Sequence, residues 1–302
     1  MCKEAEINQK LISSIKLLRD DKGHKNNFGH VLICAGSETM TGALIMAVEA
    51  ALRSGAGLVK AMAPSDALSP LRCSEPCAMT FPVDIDVNNQ FDLTSFMKSL
   101  KEITAWADSV LIGPGIDSKN PLYKIILEYF IENASSLVID ASALDFFASD
   151  FAFFSRKLNS RRDNLLNPVI MTPHIGEFRR LIKDFECSGD ELEQKARSFA
   201  SDNNCILVLK SCKTVVSLPD GERYILDINN SGMAKGGSGD VLAGLLTGLC
   251  AQLDKNSDAA LASVYLHSTA GIVAAERLGK RFMLPTDVVK YLGDAYKTVN
   301  WF

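Results

Sequence analysis

Short β-branched and apolar runs alternate along this chain with longer stretches in which apolar positions recur every three to four residues. The short runs are HVLICAG (30–36), GLVKAMA (57–63), SVLIG (109–113), SLVID (136–140), PVIMT (168–172), CILVLK (205–210) and KTVVSL (213–218). Each reads as a strand, and each is apolar throughout rather than alternating, as expected of strands buried on both faces. Helical spacing is plain in TGALIMAVEAALRSG (41–55), which opens on Thr and closes with Gly55 just past the predicted C-cap, and in PLYKIILEYFIEN (121–133). Beyond residue 239 the pattern is almost wholly helical. Strands alternating with helices predict a mostly parallel sheet with helices on both faces. KTVVSLPDGERYIL predicts a hairpin through Pro219-Asp220-Gly221, an antiparallel addition to that sheet. The polar stretch SRKLNSRRDNLLN (155–167) reads as a surface loop and not as a linker, because strand–helix alternation resumes after it. One domain over 1–302 is the expectation.

Composition narrows the class. The chain has 302 residues, 47% hydrophobic and 23% charged, which suits a globular protein with a large core. Its formal net charge is -4 and no basic stretch stands out, so nucleic acid is not an expected partner. The start, MCKEAEINQKLISSIKLL, is charged early and lacks the apolar core of a secretory signal. No run approaches the ~18 apolar residues of a spanning helix, so a membrane is not expected either. The eight cysteines (2, 34, 73, 77, 187, 205, 212 and 250) are scattered. Cys73 and Cys77 have no second cluster to complete a zinc tetrahedron, and Cys2 lacks the context of a lipid-attachment site. Most of them read as small buried hydrophobes in a reducing compartment, the cytoplasm.

NNSGMAKGGSGDVLAGLLTGL (229–249) carries the chemistry. Gly236, Gly237 and Gly239 lie directly before a strong helix pattern. Glycines there let backbone N–H groups turn toward an anion, and a helix start adds unpaired N–H groups and a positive dipole end. Asp240 could be a helix cap, but a cap needs no GGSG before it. The P-loop is excluded because Ser238-Gly239 stands where Lys-Ser/Thr is required, and the dinucleotide fingerprint because Leu242 stands at its third glycine. Gly244 and Gly248 share one helix face and predict close helix packing. Phosphoryl transfer to a hydroxyl needs donors for developing charge and a base for the hydroxyl proton. The amides of Gly237, Ser238 and Gly239 would supply the first, and Asp240 the second.

At GGSGDVLAG the sequence resembles the ribokinase-like superfamily. Further motifs resemble the ADP-dependent NAD(P)H-hydrate dehydratase family within it. These are KNNFGHVLICAGSETMTGALIMAVEAALRSGAGLVKAMAP (25–64), LIGPG (111–115), VIDASAL (138–144), MTPHIGEFRRL (171–181), LKSCKTVV (209–216) and SGMAKGGSGDVLAG (231–244). They occur in family order over about residues 25 to 290. The resemblance implies a three-layer α/β/α ribokinase-like fold around a central, mostly parallel sheet. It implies repair of NADHX and NADPHX, in which ADP phosphorylates the ring hydroxyl and phosphate then leaves, giving NAD(P)H, AMP and phosphate. Mg2+ would offset polyphosphate charge. By motif, Ala43, Gly115, His174 and Asp240 fall on the substrate side. Lys210, Ser211, Cys212, Lys213, Thr214 and Gly239 fall on the nucleotide side. The resemblance also implies a stand-alone dehydratase and a homo-oligomer, a tetramer.

The chain departs from the family pattern at Ser142, in place of a second Asp, and at Asp117, Lys235 and Ser211. Some residues carry two readings. His174 is a ligand contact or a helix cap, Glu177 a dipole partner or a catalytic acid, and Lys213 a phosphate contact or a hairpin-edge lysine. His267, in an Ala-rich helix, reads as packing. The rival function is a ribokinase-like kinase for an alcohol such as a thiazole or pyrimidine vitamin precursor, since both reactions need GGSGD.

Overall fold

The structure, a computed structural model, describes residues 4–83 and 92–301, and Cys2 lies outside them. The described residues form ten strands: β1 (Glu4–Glu6), β2 (His30–Cys34), β3 (Leu58–Ala63), β4 (Met79–Pro82), β5 (Ser109–Ile112), β6 (Ser136–Ile139), β7 (Val169–Met171), β8 (Cys205–Leu209), β9 (Lys213–Ser217) and β10 (Arg223–Asp227). Between and after them run α1 (Gln9–Ser14), α2 (Thr41–Arg53), α3 (Ser65–Ser74), α4 (Leu93–Trp106), α5 (Pro121–Asn133), α6 (Ala143–Ser149), α7 (Phe151–Asp163), α8 (Ile175–Ile182), α9 (Gly189–Asp202), α10 (Ser238–Cys250), α11 (Asn256–Leu278), α12 (Pro285–Lys290) and α13 (Leu292–Thr298).

All ten strands join one sheet in the order β1-β10-β9-β8-β7-β6-β5-β2-β3-β4. Neighbours are parallel except at β9, which runs antiparallel to both β8 and β10. The seven runs read as strands are all present. The hairpin is present too, closed by the Leu218 amide donating to Glu222 O at 2.9 Å and the Gly221 amide donating to Leu218 O at 3.0 Å. The two remaining edge strands, β1 and β4, lack a buried apolar run, which is why pattern alone does not show them.

Continuous apolar runs serve two cores because side chains alternate across a strand. Val31, Ile33, Leu111 and Val138 point into one core with α2, α3 and α10 to α13. Leu32, Cys34, Val110, Ile112, Leu137 and Ile139 point into the other with α4 to α9. The result is the three-layer α/β/α arrangement. Close helix packing occurs as Gly244 and Gly248 foretell. A Cβ on Gly244 would overlap the Ala47 carbonyl of α2, and one on Gly248 would overlap the Ser54 hydroxyl.

The stretch 155–167 departs from the sequence reading. Most of it is helix, the greater part of α7, and not a loop. Phe154, Leu158 and Arg161 are buried along one face. Arg161 is 1% exposed and donates to the carbonyls of Ile131, Ala134, Ser135 and Asn167, so its guanidinium closes the C-terminal end of α5. Burial holds its pKa down at about 10. A charged residue completes the buried stripe, and that hid the helix. Among the described residues no helix is long and apolar enough to cross a membrane.

Candidate active site

The C-terminal ends of β6, β7 and β8 meet the start of α10, where ligands of open α/β sheets gather. Asp140 follows β6, Thr172 follows β7 and Lys210 follows β8. The Thr172 amide donates to Ile139 O at 3.1 Å and the Lys210 amide to Pro173 O at 2.9 Å, so the three strand ends are laced together. A cavity of about 840 Å³ opens above them, walled on its other side by the segment 228–240 and by His267 of α11.

Gly237 is the N-cap of α10 at φ 102, a left-handed conformation that glycine adopts without strain. No side chain caps this helix, and Asp240 is its third residue. The capping reading of Asp240 therefore falls away. The amides of Gly237, Gly239 and Asp240 find no acceptor among the described residues, whereas the Ser238 amide turns back to Lys235 O at 3.3 Å. Of the three expected donors, the amides of Gly237 and Gly239 are thus open and that of Ser238 turns back into the loop. The Ser238 hydroxyl is engaged as well, on Met233 O at 2.7 Å. Lys235 donates to the carbonyls of Arg281 and Met283, so the departure from the family pattern ties the anion loop to the α11–α12 connection.

Asp240 is pushed up to about 6. Burial is the largest cause; Asp140 adds to it, Lys210 works against it, and Glu177 adds a further push. A carboxylate so placed is ionised at neutral pH yet basic enough to take a proton. Lys210 holds Asp140 Oδ1 at 2.7 Å, and its Nζ stands 3.1 Å from where a Cβ on Gly239 would be. Burial works against its charge, but Asp140, Glu177 and Asp240 outweigh it and its pKa is raised.

His174 caps α8. Its Nδ1 accepts from the Gly176 and Glu177 amides, and Glu177 accepts from the His174 amide at 2.7 Å in a reciprocal box. Its side chain is 56% exposed and it lines the cavity, so cap and ligand contact are compatible. Ala43 and Gly115 do not line the cavity, but they meet each other: a Cβ on Gly115 would lie 3.0 Å from the Ala43 Cβ. Three residues on, Met46 reaches to 2.5 Å from the corresponding point on Gly237, so α2 joins this pair to the anion loop.

On the nucleotide side Ser211, Cys212 and Thr214 line the cavity beside Lys210 and Gly239. Ser211 donates to Lys213 O at 2.6 Å and Thr214 to Ser211 O at 3.0 Å, so a serine closes this turn in place of glycine. Lys213 does not line the cavity. Its Nζ pairs with Glu193 of α9 at 2.6 Å, as a lysine at the edge of a hairpin can. His267, expected to pack within α11, also walls the cavity. Burial lowers its pKa to about 4, so it is neutral, and its Nε2 has no hydrogen-bond partner among the described residues. An Ala-rich helix gives no sign of this.

Among the described residues no group of three ligand-type side chains spaced for a metal lies at the cavity. The one such group, Asp184, Cys187 and Glu191, lies elsewhere, with Asp184 engaged by Lys195. At the cavity Asp140 is taken up by Lys210 and Thr172, and Glu177 by the His174 amide. This donor set suits a Mg2+ ion carried in on polyphosphate oxygens rather than a metal caged by protein.

Open helix-start amides, a half-buried lysine and a basic carboxylate, the groups that phosphoryl transfer needs, meet at the strand ends of a three-layer α/β/α sheet. A ribokinase-like superfamily protein from Enterococcus faecalis shares this fold with TM-score 0.79 and 27% identity, covering 99% of this chain and 97% of that one. The sequence profile of the family described as NAD(P)H-hydrate dehydratase matches residues 31–293, and the chain belongs to that family. It is 34% identical to a bifunctional NAD(P)H-hydrate repair enzyme of Moorella thermoacetica over 91% of its length, and spans about half of that relative, 50%. It is 30% identical to the ADP-dependent (S)-NAD(P)H-hydrate dehydratase of Lactococcus lactis subsp. lactis, over 90% of this chain and 91% of that one.

Proposed function

We propose that this chain, acting as one domain, is an ADP-dependent dehydratase that restores NADH and NADPH from their ring-hydrated forms. The observation that carries the reading is the placement of Asp240, a carboxylate pushed up to about 6, in the same cavity as the Lys210 ammonium and the open amides of α10. Asp240 takes the proton of the ring hydroxyl. The hydroxyl oxygen bonds to the β-phosphorus of ADP as the bond to the bridging oxygen breaks, and AMP departs. The amides of Gly237 and Gly239 and the ammonium of Lys210 hold the charge on the transferring oxygens. Mg2+ arriving with the nucleotide would add charge neutralisation to what Lys210 and the amides provide. The ring nitrogen's lone pair then expels phosphate from the adjacent carbon, and loss of a proton from the next carbon restores the dihydropyridine. Hydroxide is a poor leaving group and phosphate a good one, which is why a phosphoryl donor is spent.

The test is parallel quantification of AMP, inorganic phosphate and NADH when the enzyme meets hydrated NADH with ADP, and again with ATP. The three products are expected one-for-one, only with the hydrate present, and faster from ADP. A stable phosphorylated small molecule with no free phosphate would establish the kinase reading instead, with the fold unchanged.

A further inference from the structure

The reaction above makes no use of Asp140, yet Asp140 is the most deeply buried acid among the described residues, 1% exposed at the end of β6. Its Oδ1 accepts from both the Thr172 hydroxyl and the Lys210 ammonium, each at 2.7 Å. The next residue, Ala141, sits at φ 49, a left-handed conformation that costs a non-glycine residue strain. Buried ion pairs add little stability over apolar side chains, so stability does not explain this one. The geometry of Lys210 does. One of its three N–H groups goes to Asp140, and the other two find no acceptor among the described residues. Its Nζ stands beside Gly239, where the open amides of α10 begin.

We propose that Asp140 is the positioning residue of this site, fixing the Lys210 ammonium where the transferring phosphoryl group is held, and that Thr172 in turn fixes Asp140. The inference rests on the phosphoryl-transfer reading and names what orders it. A free lysine side chain has four rotatable bonds, and tying its head to a carboxylate set in the sheet pre-orients the charge before the nucleotide arrives.

Asp140 also acts on the base. The charged groups that bear on Asp240 are Asp140 from the β6 end, Lys210 from the β8 end and Glu177 from α8. On α11 the titratable group facing the same cavity, His267, is neutral. Asp140 raises Asp240 and Lys210 lowers it. Removing the Asp140 charge therefore lets Asp240 ionise at lower pH wherever Lys210 remains beside it.

The experiment measures kcat, KM and the pH profile for the wild type, Asp140→Asn and Thr172→Val, and follows Asp240 by carbon-13 carboxyl NMR without substrate. Asp140→Asn is expected to lose about 100-fold in kcat, the scale of a misplaced catalytic group, with KM for the hydrate nearly unchanged. The acid limb of its profile and the Asp240 titration should both move to lower pH. Thr172→Val removes a hydroxyl but no charge. It is expected to lose roughly tenfold in kcat, as one weakened hydrogen bond would, with the acid limb in place. A kcat loss in Asp140→Asn with limb and titration unmoved would mean a merely structural role and overturn the proposal. Should Asp140→Asn not fold, wild-type kcat in Thr172→Val overturns it equally. A wild type inactive on the hydrate would sink the functional reading alone, because the NMR titration reads the Asp140–Asp240 coupling without turnover.

Discussion

At the scale of single residues the site is held against its own stability. Asp240 stands at about 6 against an ordinary 3.8, so the folded protein favours its protonated form more than the unfolded chain does. Folded-state stability from this group is fully present below about pH 4 and is lost as pH rises through about 6. At pH 8 the ionised carboxylate costs at most about 3 kcal/mol, at ~1.36 kcal/mol per unit. Asp240→Asn is therefore expected to melt a few degrees higher than wild type at pH 8 and at the same temperature near pH 4, read by thermal scans at both values. Its turnover should fall about 100- to 10,000-fold. Equal melting at both pH values would remove the claim of a strained base. The glycines and Asp240 were legible because they are adjacent in sequence and their order has a direct electrostatic meaning. Asp140, Thr172 and His267 were not. Asp140 meets its partners across 32 and 70 residues, separations that carry no local pattern.

Among elements, α10 does two jobs, presenting the open amides at its start and burying its length against α2. The missing side chain at Gly244 brings the Ala47 carbonyl into contact. Gly244→Ala would gain up to about 1 kcal/mol in helix propensity, yet overpacking costs about 1–3 kcal/mol and the obstacle here is backbone. The outcome expected is a lower urea midpoint together with a lower kcat, because shifting α10 also moves its amides. A midpoint raised by the substitution would show that the helices are not in register as described. This packing was readable from the four-residue spacing of Gly244 and Gly248. The identity of α7 was not, because its buried stripe of Phe154 and Leu158 ends in Arg161, and a polarity pattern counts an arginine as exposed. The edge strands escaped for the complementary reason, that their burial is too slight to leave an apolar run.

Across the whole molecule the order of strands in space differs from their order in the chain, and nowhere more than at β1. Strands β2 and β3 pair with each other, and β5, β6, β7 and β8 each add beside an earlier strand. Among the described residues β1 has one neighbour, β10, with Glu4 opposite Arg223 and bonded to it across 219 residues. A ribosome delivers Glu4 219 residues ahead of its partner Arg223. Until then this segment can only wait, and closing so long a loop is slow. In refolding followed by pulse-labelled hydrogen exchange, the Ile7 amide, which donates to Ile225 O at 2.8 Å, should be among the last to gain protection. Early protection there would mean that the edge forms by a route the native pairing does not describe. If the edge does close last, a chain whose synthesis has just passed β10 presents the outer side of that strand to its neighbours on the polysome. A second nascent copy could then supply its own β1 to that edge, so crowded synthesis would favour strand exchange between copies, whereas dilute refolding of the finished chain would not.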